Sequence, residues 1–305
     1  MKMETNAMNI YQIEDLDLEF LSHHKISAEQ AADHFARNED TYEEGLKIFK
    51  CARELRVYRI GSENQLSDTW YCGHHSCPVC QWRKSLKFSS RMHRLLDQHP
   101  SLLQNKWLYL TLTVRNCPIE ELRSTIEHMN QAFRRLMNRD LWKKNVAGGI
   151  KYIAVDDAGL ETEFAQPYFH CLLLVSASIY EMKDYVSEIQ WAAEWQQALQ
   201  VQYSPRVNCC RLKGIDLSLR NRIIWATGHS MKPTETAFDQ NWFIVTSTEM
   251  RGLRLVESFG TVLVMLSDLD GSFSFEAMEE LEDIRENNDA SIHIWDRCKG
   301  KYRPD

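Results

Sequence analysis

A strand-helix-strand-strand-helix-strand order across residues 105–235 predicts an α+β protein whose central sheet has the ferredoxin-like, split β-α-β arrangement. Ahead of it, the block Cys72-Gly-His-His-Ser-Cys77-Pro-Val-Cys80 predicts an N-terminal zinc-binding module. With 305 residues, 44% hydrophobic and 26% charged, the chain is long enough for two domains and ordinary for a globular protein. Its composition divides it into an acidic N-terminal lead (1–45), a cysteine module (46–95), the α/β block (105–235) and a mixed C-terminal region (236–305). No internal repeat or low-complexity tract is visible.

Periodicity supplies each element of the block. WLYLTLTVR (107–115) alternates and is rich in β-formers, so it reads as a strand. Pro118 suits a helix start, and Leu122, Ile126, Met129, Phe133 and Leu136 then recur at helical spacing. IKYIAV (150–155) and YFHCLLLVS (168–176) are two more strands, joined by the turn-rich DDAGLETEFAQP. A second amphipathic helix over about 181–200 carries Met182, Tyr185, Ile189 and Trp195, and VNCCRL (207–212) is a fourth strand. Strand alternation sends Leu108, Leu110, Leu112, Phe169, Cys171 and Leu173 to the face that the helices cover. Tyr109, Thr111, Thr113, Tyr152, Tyr168 and His170 share the other face with Ala154 and Asp156. Such a polar, aromatic face is a surface on which unpaired nucleotides stack. The alternative is that the C-terminal part covers it and the tyrosines are ordinary packing residues.

Nine cysteines are an odd number, and four of them lie between Cys51 and Cys80. In a reducing compartment that crowding suits a metal better than a disulfide framework. The Cys77–Cys80 spacing lets a tight turn present two thiolates to one Zn²⁺, with Cys72 as the natural third ligand. Cys51 is the expected fourth, because it ends a helix that the hairpin RVYRIGSENQLSDTWYC returns to Cys72. His74 and His75 are alternatives. Cys117, Cys171, Cys209, Cys210 and Cys298 read as small core or surface residues. The leading MKMETNAMNIYQIEDLDLEF is acidic and lacks an apolar core, and no apolar run approaches the roughly 20 residues of a membrane span. A cytoplasmic protein without a membrane partner is expected.

The formal net charge of −7 argues against nucleic acid, but its distribution argues for it. Residues 81–151 carry fourteen basic side chains against five acids, whereas 267–290 holds nine acids and one base. Arg83, Lys84, Lys87, Arg91 and Arg94 follow the cysteine block directly, on a helix placed to grip phosphates. A solvated helix face would look the same by charge alone.

These blocks resemble, in order, the Rep replication initiators of small rolling-circle plasmids. CGHHSCPVCQWRKSLKFS is similar to their cysteine signature, and WLYLTLTVRN with MNQAFRRLM to their first strand and helix. FAQPYFHCLLLV resembles their histidine strand, while IQWAAEWQQAL, SMKPTE and RGLRLVESFG resemble later blocks. The resemblance implies a relaxase of the HUH type, in which two histidines and an acid hold a divalent metal and a tyrosine attacks the scissile phosphate. At those positions this chain departs from the pattern. The first histidine falls on Tyr168 and only His170 remains; the acid falls on or near Ala154; the nucleophile falls on His229, or Gly228 if the register slips.

A phenol with an ordinary pKa of about 10 is a poor ligand for Mg²⁺ or Mn²⁺, and alanine is none. The expectation is a Rep-like DNA-binding protein that has lost metal-dependent nicking, so that Mg²⁺ or Mn²⁺ matters only if nicking is retained. Its partner would be DNA, as a single strand or an origin hairpin, with a second copy of the chain or host replication proteins as further candidates. It could serve as an origin binder, an autorepressor or an adapted accessory of a mobile element or defence locus. A rebuilt nickase using His229, with Asp156, Asp157 or Glu163 for the missing acid, is the alternative, and a zinc-stapled interaction scaffold is a third.

Overall fold

The computed structural model describes residues 18–60, 63–67, 69–158, 161–180, 186–231, 239–271 and 290–305. The chain sorts into two units, Met1–Ser90 with Asp270–Asp305, and Arg91–Leu269.

The first unit begins with α1 (Leu18–Ala36) and α2 (Tyr42–Lys50). They lie close because Gly45 has no side chain, and a Cβ there would meet Ala32 O and Ala36 N at 2.8 Å. The hairpin β1 (Glu54–Ile60) and β2 (Glu63–Ser67) follows, with Val57 opposite Leu66, and then α3 (Pro78–Gln98), whose last residues belong to the second unit.

The second unit runs through β3 (Lys106–Thr113), the two-residue β4 (Cys117–Pro118), α4 (Leu122–Met137), α5 (Asp140–Asn145), β5 (Val146–Ala158) and β6 (Glu161–Val175). It continues with α6 (Glu188–Leu199), β7 (Val207–Leu212), α7 (Asp216–Ser230), α8 (Gln240–Met250), β8 (Val256–Phe259) and α9 (Gly260–Gly271). The sheet order is β7-β3-β6-β5-β8, with every neighbouring pair antiparallel. The four strands expected from the sequence therefore stand in the order fourth, first, third, second, which is the split β-α-β order.

Two strands at the chain's far end return to the first unit. β9 (Ala290–Asp296) pairs with β1 and β10 (Lys301–Pro304) pairs with β9, giving the order β10-β9-β1-β2. Residues that the sequence reading grouped as a mixed C-terminal region thus fall into both units. Trp295 Nε1 donates to Glu29 at 2.8 Å and Tyr302 Oη to Ala52 O at 2.6 Å, so β9 and β10 are tied to α1 and to the start of β1.

The helix-covered face is as alternation predicts. Leu122, Ile126, Met129, Phe133 and Leu136 of α4 are all buried, and Phe169 packs between Phe133 at 5.9 Å and Trp195 at 6.3 Å. Three expectations need correction. The β5–β6 pairing extends into both ends of the DDAGLETEFAQP segment, because Asp156 still pairs with Gln166 and Asp157 with Ala165. The second helix starts at Glu188 because Ser187 and Gln190 form a capping box; Ile189 is 82% exposed, whereas Trp195 is buried as expected, together with Trp191 and Leu199. Met182 and Tyr185 lie outside the described residues. The third correction concerns the opposite face of the sheet, where α7, which the sequence reading did not anticipate, packs against β6.

Candidate metal centre and histidine-lined sheet site

The first site is the cysteine cluster. Cys51 follows the last residue of α2, Cys72 follows the hairpin, and Cys77 and Cys80 bracket the first turn of α3. All four sulfurs lie within 4.8 Å of one another, with Cys80 Sγ 3.6 Å from both Cys51 Sγ and Cys72 Sγ. A tetrahedral ion with metal–sulfur bonds of about 2.3 Å separates its sulfurs by about 3.8 Å, so these residues fit a four-thiolate metal centre. Cys51, Cys77 and Cys80 are buried, and mutual hydrogen bonding splits the cluster, pushing the Cys51 and Cys77 thiols up and Cys80 down.

His74 and His75 stack on each other at 4.5 Å. His74 Nδ1 accepts from Ser76 N at 3.2 Å and its Nε2 faces Glu44 at 3.4 Å, so this pair supports the knuckle from outside the sulfur cluster. Lys25, absent from the sequence reading, is fully buried and donates at 2.7 Å to both Phe49 O and Cys51 O. Burial lowers the Lys25 pKa and the nearby Cys51, Glu29, Cys77 and Cys72 oppose that shift, so this amine is placed to interact favourably with thiolates in the cluster. A lysine in an amphipathic helix carries no signal of this in sequence.

Directly after the knuckle, Trp82 is buried against His24 at 5.5 Å, whereas Lys84 and Lys87 are exposed and Arg83 lies over the Tyr71 ring at 4.1 Å. Much of the remaining basic stretch is engaged internally. Arg91 donates to Leu266 O at 3.0 Å, Arg135 to Ala198 O at 2.6 Å, and Arg139 pairs with Glu194. Lys151 is buried over the Phe133 and Phe169 rings and pairs with Glu257 at 2.5 Å. The charge count over 81–151 therefore overstates the surface open to phosphate.

The second site lies on the sheet face opposite α4 and α6. Register aligns Thr111, His170 and Tyr152 in one row and Thr113, Tyr168 and Ala154 in the next. Over this face α7 buries Tyr152 completely and Tyr109 nearly so. Ser230 donates to Ala226 O at 2.8 Å, which leaves the Tyr109 phenol donating to Ser230 Oγ at 2.7 Å. The stacking face expected of the whole sheet is thus reduced: Tyr109 and Tyr152 are packing residues, while Thr111, Thr113, Tyr168 and His170 stay half-buried on the interior strands β3 and β6.

α7 also delivers His229, whose ring is 6.0 Å from that of His170. Thr111 Oγ1 lies 3.0 Å from His170 Nδ1, and the Tyr168 ring meets His170 edge-on at 4.9 Å. Burial, with His229 nearby, pushes His170 down to about 4, so the imidazole is neutral at physiological pH. Burial and the adjacent Asp156 carboxylate hold the Tyr168 phenol above its ordinary value. The structure thus gathers Tyr168, His170, Ala154 and His229, while Lys232 of the motif after His229 lies outside the described residues. Trp225 was missed in the sequence; its four-residue spacing from His229 was the available signal, once the segment is known to be helical.

The two sites define the class: an α+β protein with a four-cysteine metal-competent knuckle and a separate sheet site lined by imidazole and phenol. A family model described as "Replication protein" matches residues 63–303, and the chain belongs to that family, the Rep proteins of rolling-circle plasmids. It is similar to "Protein rep" of Streptococcus pneumoniae serotype 2, at 32% identity over 61% of this chain and 59% of that one. It is similar also to "Protein rep" of Lactiplantibacillus plantarum (29%; 81% and 77%) and of Bacillus amyloliquefaciens (30%; 55% and 50%). The chain thus spans just over half the length of the pneumococcal relative and half of the Bacillus one. No solved structure matches it. Among the described residues, no helix is long and apolar enough to cross a membrane.

Proposed function

We propose that this chain is a DNA-binding replication protein that keeps a zinc-stapled frame of the HUH type and lacks metal-dependent nicking. The observation that carries this reading is the convergence of Tyr168, Ala154 and His229 around His170, at the positions where the family resemblance expects metal ligands and nucleophile. The donor set does not fit a hard divalent ion. Alanine offers no donor, and the phenol resists ionisation because burial and Asp156 both oppose it. The His170 and His229 imidazoles and the Asp156 carboxylate beside Tyr168 stand in this region, but among the described residues no group of three metal-binding side chains forms around them.

Zn²⁺ is the ion we assign to Cys51, Cys72, Cys77 and Cys80, because four thiolates close a tetrahedral structural site and leave no open position for chemistry. DNA is assigned as partner because Arg83, Lys84 and Lys87 follow the knuckle on α3, beside a family whose relatives are replication proteins. Mg²⁺ and Mn²⁺ have no role in this reading. Nor does it require a second copy of the chain or a host protein.

A rebuilt nickase draws on one specific feature, the His229 imidazole placed 6.0 Å from His170, with the Asp156 carboxylate beside Tyr168. Incubation with supercoiled and single-stranded DNA in Mn²⁺, followed by mass spectrometry, separates the two. No relaxation and no covalent adduct is the expected result, and weak nicking is expected only after Tyr168→His, Ala154→Glu and His229→Tyr are combined. An adduct on His229 or on any tyrosine of the unmodified chain overturns the reading.

A further inference from the structure

Beside the histidine site, α7 leaves a large aromatic ring uncovered. Trp225 is 62% exposed, although an indole of this size normally contributes to a core. Its ring lies flat on His229, with centroids 4.8 Å apart and planes 11° from parallel. His229 stands in turn 6.0 Å from His170. One indole face is therefore backed by an imidazole and held in a defined orientation, while the residue as a whole stays 62% exposed.

The neighbours of Trp225 decide what such a ring would receive. A surface for docking a protein helix would continue along α7 as an apolar stripe at spacings of three and four. Around Trp225 those positions hold Asn221, Arg222, Gly228 and His229, and Arg222 is exposed. A single rigid aromatic with a guanidinium one turn away suits a ligand that is flat, unsaturated and anionic at short spacing. An unpaired nucleotide is that ligand, since its base offers a π-face and its phosphate a charge, whereas a duplex hides its base faces in the stack.

We infer that Trp225, backed by His229, is a stacking platform for an unpaired base of single-stranded DNA at the His170 site. This rests on the DNA-binding reading above and adds to it a strand form and a contact residue. The platform takes the place of Tyr109 and Tyr152, which α7 buries.

The test uses the full chain and a short fluorescent oligothymidylate, with a duplex of mixed sequence alongside. Trp225→Ala is expected to weaken oligothymidylate binding roughly tenfold, with a smaller effect on the duplex, and Trp225→Phe to restore most of the loss. An unchanged oligothymidylate affinity in Trp225→Ala overturns the inference while leaving the DNA-binding reading intact, because binding itself persists. Failure of the unmodified chain to bind either DNA overturns both. Photo-crosslinking of the unmodified chain to a 5-bromouracil oligonucleotide needs no variant. An adduct on the peptide containing Trp225 supports the platform, and adducts confined to other peptides overturn it.

Discussion

His170 is the residue whose chemistry the fold alters most. Its ordinary value of 6.5 is pushed down to about 4 because burial penalises the imidazolium and His229 adds repulsion. The sign follows from proton counting. Between pH 6.5 and about 4 the unfolded chain takes up a proton at this residue and the native one does not, so its contribution to stability is fully present above pH 6.5 and is lost as pH falls toward 4. An NMR titration of the His170 ring is expected to show a midpoint near 4. A midpoint near 6.5 would mean that solvent reaches the ring freely. Tyr168 behaves in the opposite sense, staying a neutral phenol well above neutral pH, which suits a packing and hydrogen-bonding role rather than ligation.

Among the elements, α3 and α7 carry the function that we assign. α3 starts at the cysteine knuckle, so an ion held there would fix the direction in which Arg83, Lys84 and Lys87 leave it. Replacing these three by Glu should weaken binding to every DNA sequence and flatten its salt dependence, since phosphate contacts release counterions without reading bases. Titrations at two ionic strengths check this; an unchanged affinity and slope would identify the patch as a solvated helix face. Arg91 was read with this patch, yet its bond to Leu266 O gives it a structural task, so Arg91→Ala should act on stability more than on DNA affinity. α7 has two faces with different duties. Leu219, Ile223, Ala226 and Thr227 are buried beneath it, and Trp225 is carried outward.

At the scale of the whole molecule, the first unit is assembled from both ends of the chain around the cysteine cluster. Cys51 lies between α2 and β1, and β1 is flanked by β2 on one side and β9 on the other. A metal bound there would contribute folding free energy, because the four sulfurs converge only when α2, the hairpin and α3 are in place. Cys77→Ser should therefore lose about one zinc per chain and lower the stability of this unit by about 3 kcal/mol or more. Metal analysis of anaerobically purified protein with thermal denaturation measures both, and a metal-free unmodified chain would remove the zinc assignment.

Several features were determined by sequence alone, because they depend on spacing along one segment. The strand faces followed from alternation, the α4 core from its helical repeat, and the thiolate turn from Cys77 and Cys80. Cys51 was reachable as well, since a short hairpin limits how far it can stand from Cys72. Only the tertiary structure decided what covers each face. The helical segment 216–230 carries Leu219, Ile223 and Ala226 at helical spacing, but the exposed Leu217 and Trp225 blur that repeat, so its packing over Tyr109 and Tyr152 could not be read from its own residues. Lys25 lies 26 residues from Cys51 and Arg91 lies 175 from Leu266, and such partners are set by how the units fold up rather than by any local pattern. Local periods report the face a side chain takes; its partner across that face depends on long-range packing.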